Sequence, residues 1–576
     1  RTERNATMLP QSHNGLQAGT PAKIGFVIPR YGLNIVGGAE RLVRGMAEEL
    51  HTRGHAVEVL TTCTDSMTEW NNAYPAGETT INGVAVQRFP LDHLDEGQVY
   101  RTASKALSGE RVPYGEQLDF VRQYLNSQAL YQYLRSHATE FSNVIFAPYL
   151  FGTTYFGMQA VPEKAVLLPC IHDEPVAYFT VYRELLEQAR GVIFNADAER
   201  RFAVERLGMS NQSAAVVGYG FDIPATPGDG ARFRERHNLP AELVLYSGRL
   251  DAGKNVPLLL DYFTRYKAER PGALTLALSG SGDVVVPNRD DVVGLGFLDD
   301  DELRDAYAAA TLFCQPSVNE SFSIVIMEAW LQNTPVLVHR DCAVTREHVD
   351  RSGGGWAFRS YEEFRNALDA AFGDRAEHDR RGQAGRAYVE REYNWDAVIA
   401  RLLDALADFE RPLSLYEQLS RRGVRRALEF SRERFEERFG QVIARAEADQ
   451  VQGLARGQAE ALRTAAHIAM PEYQVQSGAP VVGKLIAQMR RNMTSHLREP
   501  YLDPIIARQE QFNTMILDVL LPALERSQHA QQRLERQVRL LEQQLRELRA
   551  QDLQREGLGE GEAHPKTPPT SGMLGE

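Results

Sequence analysis

The chain has 576 residues, enough for more than one domain with its own core. Its residues are 43% hydrophobic and 24% charged, as in an ordinary globular protein, and the net charge of -13 argues against nucleic acid as the main partner. Cys63, Cys170, Cys314 and Cys342 are far apart in apolar contexts, which reads as buried free thiols in a reducing cytosol, and no apolar run reaches the roughly 18–20 residues of a membrane span.

Residues 1–21 read as a disordered leader with no signal-peptide core. From Lys23 an apolar run at 24–28 predicts a buried strand, followed by a glycine-containing loop, a helix over about 38–53 and a second strand at 57–60. Short apolar runs at 144–147, 165–170 and 191–195 continue the pattern, and 216–221 closes this half. The Pro- and Gly-rich stretch 224–229 is a linker. A second series follows, with strands at 243–247, 274–279, 292–295, 312–314 and 335–339 and helices at 256–270 and 300–310. These patterns predict an α/β chain with a Rossmann-like domain at 22–217, a second at 218–409 and a cleft between them.

Strand signals stop after Phe409. Residues 410–511 read as a helical extension, broken near Pro471–Pro480, and 512–556 as a short coiled coil with Leu534, Val538, Leu541, Leu545 and Leu548 along its seam. A solvated helix packed on its own domain is the alternative to self-association there. Residues 557–576 are a Gly/Pro-rich disordered tail. Arg421, Arg422, Arg425 and Arg426 offer a peripheral contact to anionic lipid, diluted by Glu429, Glu433, Glu436 and Glu437.

The chemistry concentrates in the second series. Glu320 and Glu328 bracket Ser321-Phe322-Ser323-Ile324-Val325-Ile326-Met327, whose apolar spacing predicts a helix burying Ile324, Met327, Trp330 and Leu331. Free amides at a helix start accept phosphate oxygens, and carboxylates accept hydrogen bonds from sugar or ribose hydroxyls. Paired carboxylates also serve acid–base hydrolysis of glycosides. Arg249 and Lys254 follow the strand at 243–247, where two cations suit a diphosphate leaving group or, equally, a solvated surface. Asp299-Asp300-Asp301 precede the helix at 300–310 and read as its cap and first turn rather than a metal motif.

Gly248-Arg249-Leu250 with Lys254, Ser279-Gly280-Ser281-Gly282, and Glu320-x7-Glu328 followed by Pro335-Val336 together resemble the retaining glycosyltransferases of family 4, over about residues 22–409. The resemblance implies the GT-B architecture. It places Arg249 and Lys254 on the donor diphosphate, Glu320 on the donor sugar and Glu328 on the nucleotide ribose. Ser323 and Ile324 fall where backbone amides meet the phosphates, with Ser321 and Ser323 replacing the commoner glycines. Gly37-Gly38 match the family's glycine loop, where the backbone approaches donor phosphate or acceptor, although such a pair also suits a plain helix-start turn, and Gly280 falls on the donor side. His172 matches the histidine beside the reacting carbon, and Asp173 next to it orients it or touches the acceptor.

The expected activity is retaining transfer from a nucleotide-sugar, a UDP- or GDP-sugar, to a glycan or lipid-linked acceptor, without cofactor or metal. Family habit suggests cell-surface polysaccharide or glycolipid synthesis in the cytoplasm or at the inner face of the cytoplasmic membrane. The rivals are an inactive GT-B scaffold that recruits partners through its helical tail, and a GT-B epimerase or phosphorylase.

Overall fold

The computed structural model describes residues 22–411, apart from Thr68 and His93. The expected leader, the extension beyond residue 411, the coiled coil at 512–556 and the tail at 557–576 lie outside the described residues.

Most apolar runs between glycine- or proline-rich turns become strands, buried on both faces at the sheet centres and partly exposed toward the edges. The first sheet holds β1 (Lys23–Val27), β2 (Val57–Thr62), β3 (Gly77–Ile81), β4 (Val84–Phe89), β5 (Phe141–Phe146), β6 (Ala165–Leu167), β7 (Gly191–Phe194) and β8 (Ala214–Val216). Its order is β3-β4-β2-β1-β5-β6-β7-β8, and β3 alone runs antiparallel to its neighbour. The second sheet holds β9 (Leu243–Ser247), β10 (Thr275–Ser279), β11 (Val292–Gly296), β12 (Leu312–Gln315), β13 (Val336–His339) and β14 (Gly355–Phe358), parallel throughout, in the order β11-β10-β9-β12-β13-β14. The strand order reverses at β1/β5 in the first sheet and at β9/β12 in the second, and loops beyond such switch points form ligand crevices.

Two helices set the site. Helix Gly38–Thr52 buries Leu42, Val43, Met46, Ala47 and Leu50, and from its first turn Arg41 reaches Glu328 beside the second sheet. Helix Ile324–Leu331 buries Ile326, Met327, Ala329, Trp330 and Leu331. Ile324, expected in the core, is only half-buried, because as the first helical residue it opens onto a cavity instead.

Helix Trp395–Glu410, expected to close the second domain, returns to the first sheet, where it packs on β7, β8 and helix Gly38–Thr52. The chain therefore crosses between the sheets twice. The two crossings are zipped together: Phe221 N donates to the Tyr393 carbonyl at 2.7 Å, and the Tyr219 and Trp395 rings meet edge to face at 5.5 Å.

Three elements differ from expectation. The run at 216–221 is not a strand: β8 ends at Val216, Gly218 adopts φ 82°, and the chain leaves to cross between domains. The run at 165–170 is a strand only to Leu167, since Pro169 has no amide to donate and Cys170 turns at φ 51°. The β3–β4 hairpin was not anticipated, although its Asn82-Gly83 turn, with both residues at positive φ, carries the sequence signal of a two-residue hairpin. No helix among the described residues is long and apolar enough to cross a membrane.

Candidate active site

The loop after β9 is fixed by Asp251, whose Oδ1 accepts the Lys254 backbone amide at 2.7 Å. This turns Lys254 toward β12, where its Nζ lies 2.8 Å from Glu320 Oε1. The two side chains are 23% and 11% exposed, so the pair is shielded far more than a surface ion pair. Gln315, at the end of β12, donates from Nε2 to the same carboxylate oxygen at 3.4 Å, leaving its own buried Oε1 without a partner. Ser323 caps helix Ile324–Leu331 in the left-handed region, at φ 72° and ψ 75°. A side chain there costs on the order of 1–2 kcal/mol, which the commoner glycine would avoid. Its Oγ is also buried and unpartnered. Unpartnered buried polar atoms are rare in proteins, and both of these belong to residues lining one cavity of about 200 Å3.

The first sheet supplies the opposite wall. A Cβ on Gly38 would meet nothing within 4 Å, so bare backbone faces the cavity at the helix start. A Cβ on Gly37 would lie 2.1 Å from Glu40 Oε2, so glycine there lets Glu40 fold back against its own helix start, where Arg30 Nε holds it at 3.1 Å.

The segment carrying His172 is gripped from beneath. Glu199 accepts the Ile171 amide at 2.7 Å and the Asn195 amide at 2.6 Å, tying the ends of β6 and β7 together. Burial pushes its pKa up to about 8, against the opposing pull of those backbone donors. His172 Nε2 sits 3.6 Å from Glu174 Oε1, which accepts the Tyr149 hydroxyl at 2.6 Å. Asp173 accepts from Tyr178 Oη at 2.7 Å, and its carbonyl lies 3.3 Å from the Asn319 amide nitrogen in the orientation that satisfies that side chain. The histidine segment thus touches the Glu320 loop across the cleft.

Gly38, Lys254, Glu320, Ser323 and Ile324 meet at the smaller cavity. Glu328 opens instead onto a neighbouring cavity of about 370 Å3, with Arg41, Tyr219, Asp300, Tyr307 and Trp395. Its Oε1 pairs with Arg41 Nη2 at 2.8 Å and its Oε2 accepts the Tyr307 hydroxyl at 3.1 Å. Burial raises the Glu328 pKa, and Arg41 and Tyr307 only partly counter it. Arg249, Gly37, Gly280, His172 and Asp173 line neither cavity. Arg249 is 73% exposed and 3.4 Å from Asp251. Gly280, at φ 126°, lets the loops after β9 and β10 close on each other, since a Cβ would fall 1.9 Å from the Gly248 carbonyl oxygen. Asp299 caps its helix, accepting the Glu302 amide at 2.9 Å.

Sequence reasoning missed Arg41, Gln315 and Glu199. Arg41 adjoins the Gly37-Gly38 helix start, which was a signal. Gln315 reaches the site from the end of β12 and Glu199 from the short helix Asp197–Arg201 that follows β7, so local sequence carries little trace of them.

The two Rossmann-like sheets form the GT-B architecture. Sucrose-phosphate synthase from Thermosynechococcus elongatus superposes with a TM-score of 0.51 at 19% identity, over 69% of this chain and 99% of that one. Anabaena HepE, solved in complex with UDP and glucose, superposes with a TM-score of 0.51 at 17% identity, over 67% of this chain and 100% of that one. Residues 229–388 match the family model described as Glycosyl transferases group 1. A D-inositol 3-phosphate glycosyltransferase of Kineococcus radiotolerans is 27% identical over 342 residues, 53% of this chain and 73% of that protein. An uncharacterized glycosyltransferase of Methanocaldococcus jannaschii is 24% identical over 65% of this chain and 95% of that one. The family match and relatives so named support glycosyltransferase activity for this chain.

Proposed function

We propose that the chain moves a sugar from a UDP- or GDP-sugar to a glycan or lipid-linked acceptor, with retention at the anomeric carbon. The observation that carries this reading is the Lys254–Glu320 pair at the start of helix Ile324–Leu331, beside two buried polar atoms that lack partners. The donor sugar would meet Glu320 and the diphosphate would meet Lys254 and the amides at Ser323 and Ile324. Helix-start amides and a lysine stabilise the charge that grows on a departing diphosphate. Glu328 faces the larger cavity, whose volume and aromatic lining suit a nucleoside, with the ribose hydroxyls donating to the carboxylate. Arg249 lies one short loop from Lys254 and would swing in from solvent to complete the diphosphate site.

In this reading the bond from the anomeric carbon to the diphosphate oxygen breaks, and the acceptor oxygen attacks from the same face. The departing phosphate takes the acceptor proton, so no side-chain nucleophile or metal is required. His172, on the first-domain side of the cleft, would come beside the reacting carbon once the donor is bound, and Asp173 next to it would orient it or touch the acceptor. Family habit suggests a cell-surface polysaccharide or glycolipid pathway, in the cytoplasm or at the inner face of the cytoplasmic membrane.

The test is a thermal-shift panel with UDP, GDP and ADP followed by donor turnover on a sugar-nucleotide panel. One nucleotide should raise the melting temperature, and Glu320→Ala and Lys254→Ala should each lose at least about 100-fold in turnover while staying folded. Near-normal turnover by both variants would remove this site from the mechanism.

A further inference from the structure

Glu328 is answered from the other side of the cleft. Arg41 belongs to helix Gly38–Thr52 of the first domain, Glu328 to helix Ile324–Leu331 of the second, and they meet at 2.8 Å on the wall of the larger cavity. Their side chains are 30% and 15% exposed. No other group facing the carboxylate supplies a paired cation. Tyr307, on helix Asp300–Ala309, donates a neutral hydroxyl, and Asp300 on the same helix repels the carboxylate. Tyr219 and Asp222, on the crossing segment, add no cation, and Arg304 lines the cavity without pairing to Glu328. A carboxylate so placed holds a proton more tightly once its cation is removed. Hydrogen bonds to an ionised carboxylate are roughly twice as strong as those to a neutral group.

We propose that Arg41 is a positioning residue for the nucleoside: it holds Glu328 ionised and aimed into the larger cavity, so tight nucleotide binding requires both domains. The inference rests on the nucleotide-sugar reading above and adds a residue from the first domain to a recognition site carried by the second. It also predicts that nucleotide affinity reports domain closure.

The experiment is calorimetric titration of the folded full chain with UDP and GDP between pH 5.5 and 8.5, comparing wild type, Arg41→Gln, Arg41→Lys, Glu328→Gln and Arg201→Gln. Arg201 is the control, since it pairs with Glu347 across the domains but lines neither cavity. Wild type should bind with little pH dependence. Arg41→Gln should bind about 10- to 100-fold more weakly at pH 7 and recover as pH rises, because its bare carboxyl ionises later. Arg41→Lys keeps the cation and should stay flat with pH. Glu328→Gln should be weak at every pH, and Arg201→Gln should match wild type. A merely structural role for Arg41 would lower stability without moving the pH profile. Arg41→Gln binding as tightly as wild type, or more tightly, overturns the inference and leaves the nucleotide reading standing. Should Arg41→Gln not fold, a pH-dependent Arg41→Lys overturns it equally. A folded wild type that binds no nucleotide overturns both.

Discussion

Ser323 and Glu199 each hold a segment of the site at an energetic cost. Ser323 accepts left-handed backbone geometry to present the first amides of its helix, and Glu199 buries a carboxyl to grip the amides at Ile171 and Asn195. For Glu199 the cost is visible as pH dependence. Its folded pKa, about 8, lies above the ordinary 4.5, so the folded state binds the proton more tightly than the unfolded chain. Its contribution to stability is therefore full below about pH 4.5 and is lost as pH rises through about 8. Glu199→Gln cannot titrate and mimics the protonated carboxyl. Thermal melts should show the two close at pH 5, with wild type losing stability relative to the variant toward pH 8.5; a constant difference would mean the carboxyl is already ionised across the range.

The Asp299-Asp300-Asp301 run shows how an element decides between readings of the same residues. Asp299 Oδ1 accepts the Glu302 amide, with Asp300, Asp301 and Glu302 in the first turn of helix Asp300–Ala309. Asp299→Ala should lower stability by about 1 kcal/mol in urea unfolding, while Asp299→Asn, which still accepts that amide, should cost little. Legibility in the sequence followed the range of the interactions. Strands β1, β9 and β12 and helices Gly38–Thr52 and Val256–Glu269 were readable because apolar period and flanking turns are local signals. The presence of Lys254 and Glu320 in one domain after neighbouring strands was legible too, but not the ion pair they form. The Arg41–Glu328 pair was not readable, since 287 positions separate its members and only domain closure joins them. The hairpin at Asn82-Gly83 was locally encoded and passed over, while the end of β8 depends on a crossing that no local pattern announces.

At the scale of the molecule, helix Trp395–Glu410 binds the domains into one unit. Its buried Val398, Ile399, Leu402, Leu406 and Phe409 cover β7 and β8, and each such side chain contributes roughly 1.5–3 kcal/mol by burial. Their sum is comparable to the roughly 5–15 kcal/mol that holds a typical protein folded. A chain ending at residue 392 should therefore be insoluble or rapidly proteolysed, whereas one ending at 411 should give a resistant core. Equal protease resistance of the two would show that the first sheet stands without its returning helix. The double crossing has a mechanical corollary. Residue 411 emerges from the domain of His172 and not from that of Glu320, so anything fastened to the chain beyond it anchors the histidine side. The half that carries Glu320 is then joined to that anchor through two covalent crossings that run side by side, so a load beyond residue 411 bears first on the histidine side.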